Sequence, residues 1–218
     1  MAYRAVLFDL DGTLLDSIAD LADAMNAALA AHGLPPRPVV AEHKTMVGDG
    51  VAAYILRALP AGKRDDAALV AKVTADYRAA YAARWRNQTR PYEGVADLLD
   101  RLAGLGIRLA VLSNKPEDTT RATVEAFLGL ERFDVVRGAL DGVPLKPDPR
   151  SAVRIAAEMD LTPAEFLYVG DTATDMKTAN AAGMFAVGAL WGFRGIEELH
   201  GAGARALIER PAELLDLL

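Results

Sequence analysis

The feature that most restricts the possible folds is an alternation of short apolar segments with helix-length segments along most of the chain. The apolar segments are four to six residues long and largely β-branched or aromatic; they are residues 5–8, 107–112, 133–136, 166–169 and 184–187. Nearly continuous apolar character at this length is typical of strands buried on both faces of a parallel sheet. The alternation therefore predicts a doubly wound α/β fold with a mostly parallel sheet.

Helix-length segments separate these strands, and a glycine follows three of them. The segments are residues 95–105, 117–128, 149–159 and 173–182, and the glycines are Gly106, Gly129 and Gly183. Glycine commonly follows a helix end because it adopts the left-handed conformation without steric cost. We expect helices over these segments, three of which end at a glycine.

Residues 17–87 interrupt the alternation, because no strand-like segment occurs among them. Apolar residues recur there at helical spacing, among them Ile18, Leu21 and Met25. The sequence therefore predicts two domains. An α/β catalytic core comprises residues 1–15 and 89–218, and an all-helical domain of residues 16–88 is inserted after the first strand.

The charge balance restricts the possible partners. The chain carries 24 Lys and Arg residues against 30 Asp and Glu residues, a formal net charge of -6, and it contains no cysteine. Binding to nucleic acid or to anionic membranes requires a basic surface, and a membrane-spanning helix requires roughly 18 apolar residues in succession. We expect a cytoplasmic protein without nucleic-acid or membrane partners, and without a thiolate nucleophile or thiolate metal site.

Polar residues follow three of the predicted strands at the point where each strand ends. Asp9 and Asp11 follow the first, residues 113–115 follow the second, and Asp171 follows the fourth, with Asp175 four residues later. Ligands of open α/β sheets bind outside the carboxyl ends of the strands. We therefore expect these side chains to converge on one site.

The paired aspartates suggest phosphate chemistry. In an extended chain, residues two apart point to the same face, so Asp9 and Asp11 can address one substrate. One carboxylate can attack phosphorus while the second protonates the leaving oxygen and then activates water. Carboxylates this close repel each other unless a cation is present, and Asp171 and Asp175 complete an oxygen-ligand set that suits Mg2+.

Two further side chains are candidates for binding the phosphoryl oxygens. Lys146 and Ser113 are natural partners for them, together with the backbone N–H of Asn114. Taken singly, Lys146 could be an exposed surface lysine, and Ser113 with Asn114 could form a simple turn. Asp171 and Asp175 could likewise only favour the start of the helix that follows them. The binding roles therefore depend on the paired aspartates.

Four motifs in order resemble those of the haloacid dehalogenase superfamily. They are FDLDGT at residues 8–13, LSNK at residues 112–115, LKP at residues 145–147 and GDTATD at residues 170–175. Within the superfamily the chain is similar to the phosphoglycolate phosphatase group, and the residues Pro91 to Gly94, Asp148 and Pro149 after Lys146, and Trp191 with Gly192 support this. The resemblance extends over the whole chain, including a helical cap after the first motif.

The resemblance implies a role for each motif residue. Asp9 would be the nucleophile and Asp11 the general acid and base, and Ser113 and Lys146 would bind the phosphoryl group. Mg2+ would lie on Asp9, Asp11 through its carbonyl, and Asp171, with Asp175 nearby. Substrate contacts are expected from Thr13, Asn114 and Lys115, and from Gly48, Asp49 and Gly50 in the cap, where a purely structural turn is an equal alternative.

The expected function is Mg2+-dependent hydrolysis of a small phosphate monoester through an aspartyl-phosphate, with 2-phosphoglycolate as the leading substrate. Alternatives within the superfamily are a sugar-phosphate phosphatase, a mutase resembling β-phosphoglucomutase, a pyrophosphatase and a nucleotidase. A dehalogenase is disfavoured because that branch lacks the second aspartate. A non-catalytic protein that binds a phosphorylated ligand is a remote alternative. We expect a monomer or a homodimer.

Overall fold

The computed structural model describes residues 3–218, which divide into two compact units. The first unit comprises the chain up to Asp16 together with Pro91–Leu218, and the second comprises Ser17–Arg90. The first is built around a parallel sheet, whereas the second is helical. Among the described residues, no helix is both long enough and apolar enough to cross a membrane.

Eight strands occur within residues 3–218. They are β1 (Ala5–Phe8), β2 (Leu15–Asp16), β3 (Arg90–Pro91), β4 (Arg108–Pro116), β5 (Val135–Ala139), β6 (Phe166–Gly170), β7 (Phe185–Ala189) and β8 (Ala206–Ile208). Within residues 3–218, six of them form one sheet in the order β5-β4-β1-β6-β7-β8, and β2 pairs with β3. Each neighbouring pair in the six-stranded sheet is parallel. The predicted α/β fold with a mostly parallel sheet is confirmed.

Nine α-helices occur in the described part of the chain. They are α1 (Ile18–Ala31), α2 (Val40–Met46), α3 (Val51–Ala58), α4 (Ala67–Arg84), α5 (Val95–Gly104), α6 (Glu117–Phe127), α7 (Arg150–Glu158), α8 (Ala173–Ala182) and α9 (Ile196–Gly201). The three glycines expected after helices, Gly106, Gly129 and Gly183, have positive φ angles of 73°, 81° and 78°. The helices predicted over 95–105, 117–128, 149–159 and 173–182 therefore form, with ends within one residue of the prediction.

Both faces of the sheet are buried, as the apolar strands predict. Val6 and Phe8 of β1 belong to one apolar cluster, while Ala5 and Leu7 belong to a second. Successive side chains of a strand point to opposite faces, so the two clusters lie on opposite sides of the sheet. Tyr168 is among the largest fully buried side chains of the second cluster.

Two strand predictions need correction. The predicted strand over residues 133–136 begins at Val135, because Leu130–Arg132 form a 3-10 turn from which Phe133 packs into the core. The edge strand β8 and the two-residue strands β2 and β3 have no counterpart in the prediction. Strands of two or three residues are too short to show either alternation or an apolar segment.

The order of the strands positions the candidate site. The chain runs from β1 to β4 and β5 on one side, and then crosses to β6, β7 and β8 on the other. This change of direction places the carboxyl ends of β4 and β6 on either side of β1. Such a switch point is where ligands bind in doubly wound sheets.

A buried carboxylate in the helical unit links two segments that are far apart in the chain. Asp20 in α1 is only 1% exposed and accepts hydrogen bonds from the backbone N–H groups of Gln88 and Thr89 and from the Thr89 hydroxyl, at 2.8 to 3.1 Å. Gln88 and Thr89 lie near the end of the unit and Asp20 lies near its start. The carboxylate therefore fastens the two ends of the helical unit to each other.

Replacement of Asp20 by alanine should lower the free energy of unfolding by about 2–4 kcal/mol, because buried N–H groups lose their acceptor. Asp23 on the same helix is exposed and accepts one hydrogen bond from the Gln88 side chain. Asp23→Ala is the matched control and should change the value by less than about 0.5 kcal/mol. Urea denaturation followed by circular dichroism measures both, and equal effects of the two variants would contradict the assignment.

Candidate active site

The predicted site residues of the α/β unit gather at the carboxyl ends of three adjacent strands. Asp9 follows β1, and its N–H donates to the carbonyl of Val169 in β6 at 2.9 Å. Asp171 follows β6 directly, and Ser113 lies in the irregular last part of β4. The pairing of β1 with both neighbours therefore brings these residues to one edge of the sheet.

Three buried aspartates form the centre of the site. Asp9, Asp171 and Asp175 each offer a carboxylate oxygen, and these oxygens lie within 4.8 Å of one another. Burial, together with the charge of Asp175, raises the pKa of Asp9 from 3.8 to about 7. Burial and the charge of Asp9 likewise raise the pKa of Asp171 well above its ordinary value. A buried set of carboxylates of this kind fits a hard divalent cation, which would remove the repulsion.

Lys146 is buried among these carboxylates. Its ammonium Nζ lies 2.8 Å from Asp9 Oδ1 and 2.7 Å from Asp175 Oδ1, and it donates to the carbonyl of Leu112 at 3.0 Å. Burial alone would lower the pKa of Lys146, but the charges of Asp175 and Asp9 outweigh it and hold the pKa well above its ordinary value. The side chain is 2% exposed, so the alternative of a surface lysine is wrong.

Both carboxylate oxygens of Asp175 accept hydrogen bonds. Oδ1 pairs with Lys146, and Oδ2 accepts from the Thr172 backbone N–H at 3.1 Å and from the Thr172 hydroxyl at 2.6 Å. The contact with Thr172 completes a capping box at the start of α8. Asp175 therefore both caps this helix and orients Lys146, and its role as a metal ligand stays a prediction.

Asp171 is held by hydrogen bonds to both of its carboxylate oxygens. The Thr13 hydroxyl donates to Oδ1 at 2.9 Å, and the backbone N–H of Phe193 donates to Oδ2 at 2.8 Å. Thr13 was expected to contact the substrate. The structure places its hydroxyl, on a residue only 1% exposed, against Asp171. Thr13 therefore supports this carboxylate, and its contact with the substrate stays a prediction.

Gly12 allows the carboxylate of Asp171 to lie close to the backbone of the turn after Asp11. Its φ angle is 93°, and a Cβ atom there would collide with both carboxylate oxygens of Asp171. Any other residue would be strained in this conformation and would displace the carboxylate. The turn after Asp11 therefore requires glycine both for its backbone angle and for the space that Asp171 fills.

Asp11 lies outside the group of three clustered aspartates. Its two carboxylate oxygens accept hydrogen bonds from Lys115 Nζ at 2.8 and 2.9 Å, and its side chain is 17% exposed. The metal contact expected of Asp11 is through its backbone carbonyl rather than through this carboxylate, and it stays a prediction. Lys115, expected to bind the substrate, is in turn occupied by Asp11 in this structure.

Asn114 and Ser113 shape the loop that carries Lys146. The Asn114 side chain donates to the Lys146 carbonyl at 3.1 Å and accepts from the Lys146 N–H at 2.9 Å. The Ser113 hydroxyl oxygen accepts from the N–H of Lys115 at 3.2 Å. The side chain of Asn114 therefore positions Lys146, and the phosphoryl contact expected of the Asn114 backbone N–H stays a prediction.

The predicted cap contacts, Gly48, Asp49 and Gly50, belong to the helical unit and lie in the loop that joins α2 to α3. Both glycines have positive φ angles, 115° and 86°. Arg57 of α3 pairs with the Asp49 carboxylate and also donates to the Met46 carbonyl at 2.9 Å. This arrangement supports a structural turn, and the substrate contact stays a prediction.

The sequence interpretation missed several supporting groups. The Tyr168 hydroxyl lies 3.4 Å from Asp175 Oδ1, and burial raises the pKa of Tyr168 well above its ordinary value. The spacing of Thr172 and Asp175 carries a recognisable capping signal that could have predicted their contact. The N–H of Phe193 has no such signal, because every residue except proline offers one.

A family model described as haloacid dehalogenase-like hydrolase matches residues 3–183. This range includes all four motifs, from Asp9 to Asp175. It also includes the whole helical unit, Ser17–Arg90. The match therefore covers the residues that form the carboxylate cluster and its lysine.

Individual proteins are similar over nearly the whole chain. A phosphoglycolate phosphatase of Rhodospirillum rubrum is 38% identical over 224 residues, covering 99% of this chain and 90% of that protein. A phosphoglycolate phosphatase of Xylella fastidiosa is 34% identical over 195 residues, covering 89% of this chain and 83% of that protein. The crystal structure of a predicted phosphoglycolate phosphatase from Haemophilus somnus has a TM-score of 0.91 and 26% identity, covering 99% and 97% of the two chains.

The raised pKa of Asp9 predicts a specific dependence of stability on pH without metal. Between about pH 4 and 7 the folded protein retains a proton that the unfolded chain has lost, so the free energy of unfolding should fall as pH rises. The limiting slope for one proton is about 1.4 kcal/mol per pH unit. Urea denaturation in the presence of a chelator should show this fall in the wild type and a smaller fall in Asp9→Asn.

The control for this experiment is Asp97→Asn, which changes an exposed carboxylate of α5. Its pH dependence should match that of the wild type. Identical pH profiles for wild type and Asp9→Asn would show that Asp9 does not hold the proton.

Proposed function

The chain belongs to the haloacid dehalogenase-like hydrolases, and on this basis we propose that it is a Mg2+-dependent phosphatase acting on small phosphate monoesters. The single observation that carries the proposal is the position of Asp9. Its carboxylate is buried at the end of β1, paired with Lys146 and clustered with Asp171 and Asp175. This is the environment that a carboxylate nucleophile toward phosphorus requires.

Asp9 and Asp171 are the residues that would hold the metal, together with the backbone carbonyl of Asp11, and Asp175 lies beside them. The donor set fits Mg2+, which prefers carboxylate and water oxygens. Bound there, the ion would neutralise negative charge on the carboxylates and on the phosphoryl oxygens.

The first half of the proposed reaction transfers the phosphoryl group to the protein. A carboxylate oxygen of Asp9 attacks phosphorus, the bond from phosphorus to the alcohol oxygen breaks, and that oxygen takes a proton from the Asp11 carboxyl group. Lys146 and Ser113 bind phosphoryl oxygens and keep the group in line for attack. The products of this half are the free alcohol and an aspartyl-phosphate at Asp9.

The second half regenerates Asp9. The Asp11 carboxylate accepts a proton from a water molecule, whose oxygen attacks phosphorus while the bond to the Asp9 oxygen breaks. Inorganic phosphate leaves, and Asp11 is again protonated for the next substrate. Lys115, which pairs with Asp11 in this structure, is well placed to hold the Asp11 side chain in a defined position.

The local charge explains how an acidic protein accepts an anionic substrate. When all four are ionised, the aspartates Asp9, Asp11, Asp171 and Asp175 face two lysines, Lys115 and Lys146, which leaves two net negative charges. One divalent cation balances them. The anionic substrate then meets a site without net charge, although the whole molecule carries a formal net charge of -6.

We propose 2-phosphoglycolate as the substrate, which gives glycolate and phosphate. The support is that the similar proteins from Rhodospirillum rubrum and Xylella fastidiosa are named phosphoglycolate phosphatases. Residues Gly48 to Gly50 of the helical unit are the proposed selectors of the substrate. The cytoplasmic location and the monomeric or homodimeric state stay predictions.

The mechanism predicts different losses for the two motif aspartates. Asp9→Asn should abolish phosphate release from p-nitrophenyl phosphate, because the amide is not a nucleophile toward phosphorus. Asp11→Asn should lower kcat by about 10^2-fold to 10^4-fold, the usual contribution of a general acid or base. Phosphate release with saturating Mg2+ measures both, and Asp97→Asn should retain wild-type turnover. Retained turnover in Asp9→Asn would exclude the covalent mechanism.

The substrate assignment is tested by a comparison of kcat/KM across small phosphorylated metabolites. We expect the highest kcat/KM for 2-phosphoglycolate, and release of phosphate rather than an isomer from phosphosugars. A sugar phosphate, pyrophosphate or nucleotide with a higher value would replace the assignment within the same chemistry. Conversion of a phosphosugar into its isomer would instead indicate a mutase.

A further inference from the structure

Trp191 contacts the loop that carries the catalytic aspartates. The residue follows β7 in the chain, after residue 183, where the family match ends. Its indole Nε1 donates to the carbonyl of Thr13 at 2.9 Å, and its partly buried ring packs against the apolar cluster that contains Val6 and Phe8. Trp191 takes no part in the chemical steps of the proposed mechanism.

Gly192 follows at once and lies directly against the metal-binding carboxylate. A Cβ atom at this position would collide with the Cβ of Asp171 and with the carbonyl oxygen of Gly12. The backbone after β7 is therefore packed against both Asp171 and the turn after Asp11. Only a residue without a side chain fits there.

The next residue completes the contact with Asp171. The N–H of Phe193 donates to Asp171 Oδ2, and the hydroxyl of Thr13 donates to Asp171 Oδ1. Thr13 is the residue whose carbonyl accepts from Trp191. Asp171 is thus held by Thr13 on one oxygen and by Phe193 on the other. The Trp191 indole connects these two groups, because it bonds to Thr13 and lies two residues before Phe193 in the chain.

This arrangement fixes the direction in which Asp171 presents its oxygens. A carboxylate oxygen has two lone pairs, and each oxygen of Asp171 uses one on Thr13 or Phe193. The second lone pair of each oxygen is the one that a cation bound in the cluster with Asp9 would use. Hydrogen bonds of this kind to a ligating carboxylate contribute strongly to metal affinity.

We propose that Trp191 is a positioning residue for metal binding, which acts by holding the Thr13 loop and the backbone of Phe193 on either side of Asp171. The inference rests on the proposed metal-dependent function. It assigns a role to the segment Trp191 to Phe193 that is separate from substrate contact and from the chemical steps.

The test compares the two tryptophans of the chain. Trp191→Phe removes the indole donor and keeps an aromatic ring, whereas Trp85→Phe makes the same change in the helical unit. Isothermal titration of metal-free protein with Mg2+ should give a Kd about 10-fold higher for Trp191→Phe than for the wild type. Trp85→Phe should bind Mg2+ with the wild-type Kd.

Activity provides a second readout that general loss of structure would not reproduce. In Trp191→Phe the Mg2+ concentration for half-maximal phosphate release should rise by the same factor as the Kd. Saturating Mg2+ should restore kcat to near the wild-type value, and KM for p-nitrophenyl phosphate should be unchanged. A fall in kcat that saturating Mg2+ does not restore would overturn the proposal.

A second pair of substitutions tests whether Trp191 acts through Thr13. Thr13→Val removes the hydroxyl donor to Asp171 and should raise the Kd for Mg2+ by about 10-fold to 100-fold, whereas Thr13→Ser should restore binding. Because Trp191 and Thr13 belong to one chain of contacts, the double variant should bind Mg2+ more tightly than the product of the two single effects predicts. Full additivity would overturn the proposed route.

The outcome also separates this inference from the proposed function. If the wild type releases phosphate in a Mg2+-dependent way while Trp191→Phe binds Mg2+ with the wild-type Kd, the inference fails and the function stands. If the wild type binds Mg2+ more tightly than Trp191→Phe but releases phosphate from no substrate, the function fails and the inference stands. A wild-type protein that does not bind Mg2+ overturns the inference.

Discussion

The structure of the candidate site follows from the need to keep three buried carboxylates close together. Asp9, Asp171 and Asp175 repel one another, and burial removes the water that would weaken this repulsion. The surrounding residues oppose it by different means. Lys146 supplies a positive charge, Thr13 and the Phe193 N–H supply hydrogen bonds, and Gly12 leaves the space that a carboxylate fills. What remains unbalanced is the charge that a divalent cation would supply.

The fold contributes by bringing distant parts of the sequence to one edge of a sheet. The chain crosses from one side of β1 to the other, so that β4 and β6 end beside it. Asp9 and Asp171 are 162 positions apart, yet each directly follows one of two paired strands. Both aspartates are thus attached directly to central strands that are buried on both faces.

Much of this arrangement could be predicted from the sequence, because buried parallel strands and polar residues at their ends leave clear local patterns. Asp9, Asp171, Asp175 and Lys146 were expected together and lie together. The partners of the polar side chains could not be predicted. Asn114 binds the Lys146 backbone, Lys115 binds Asp11 and Thr13 binds Asp171, and each choice depends on distances across the fold that no local pattern encodes. The short edge strand β8 could not be predicted for a similar reason, because it is defined by its pairing with β7.

Phosphorylation of Asp9 is the step on which the proposed mechanism depends most directly. The protein is incubated with substrate and Mg2+, quenched in acid and treated with borohydride, which reduces an aspartyl-phosphate to homoserine. Peptide mass spectrometry then identifies the modified position. We expect homoserine at position 9 in the wild type incubated with substrate, and none when substrate is omitted. Homoserine at another aspartate, or continued turnover without modification at position 9, would contradict the account.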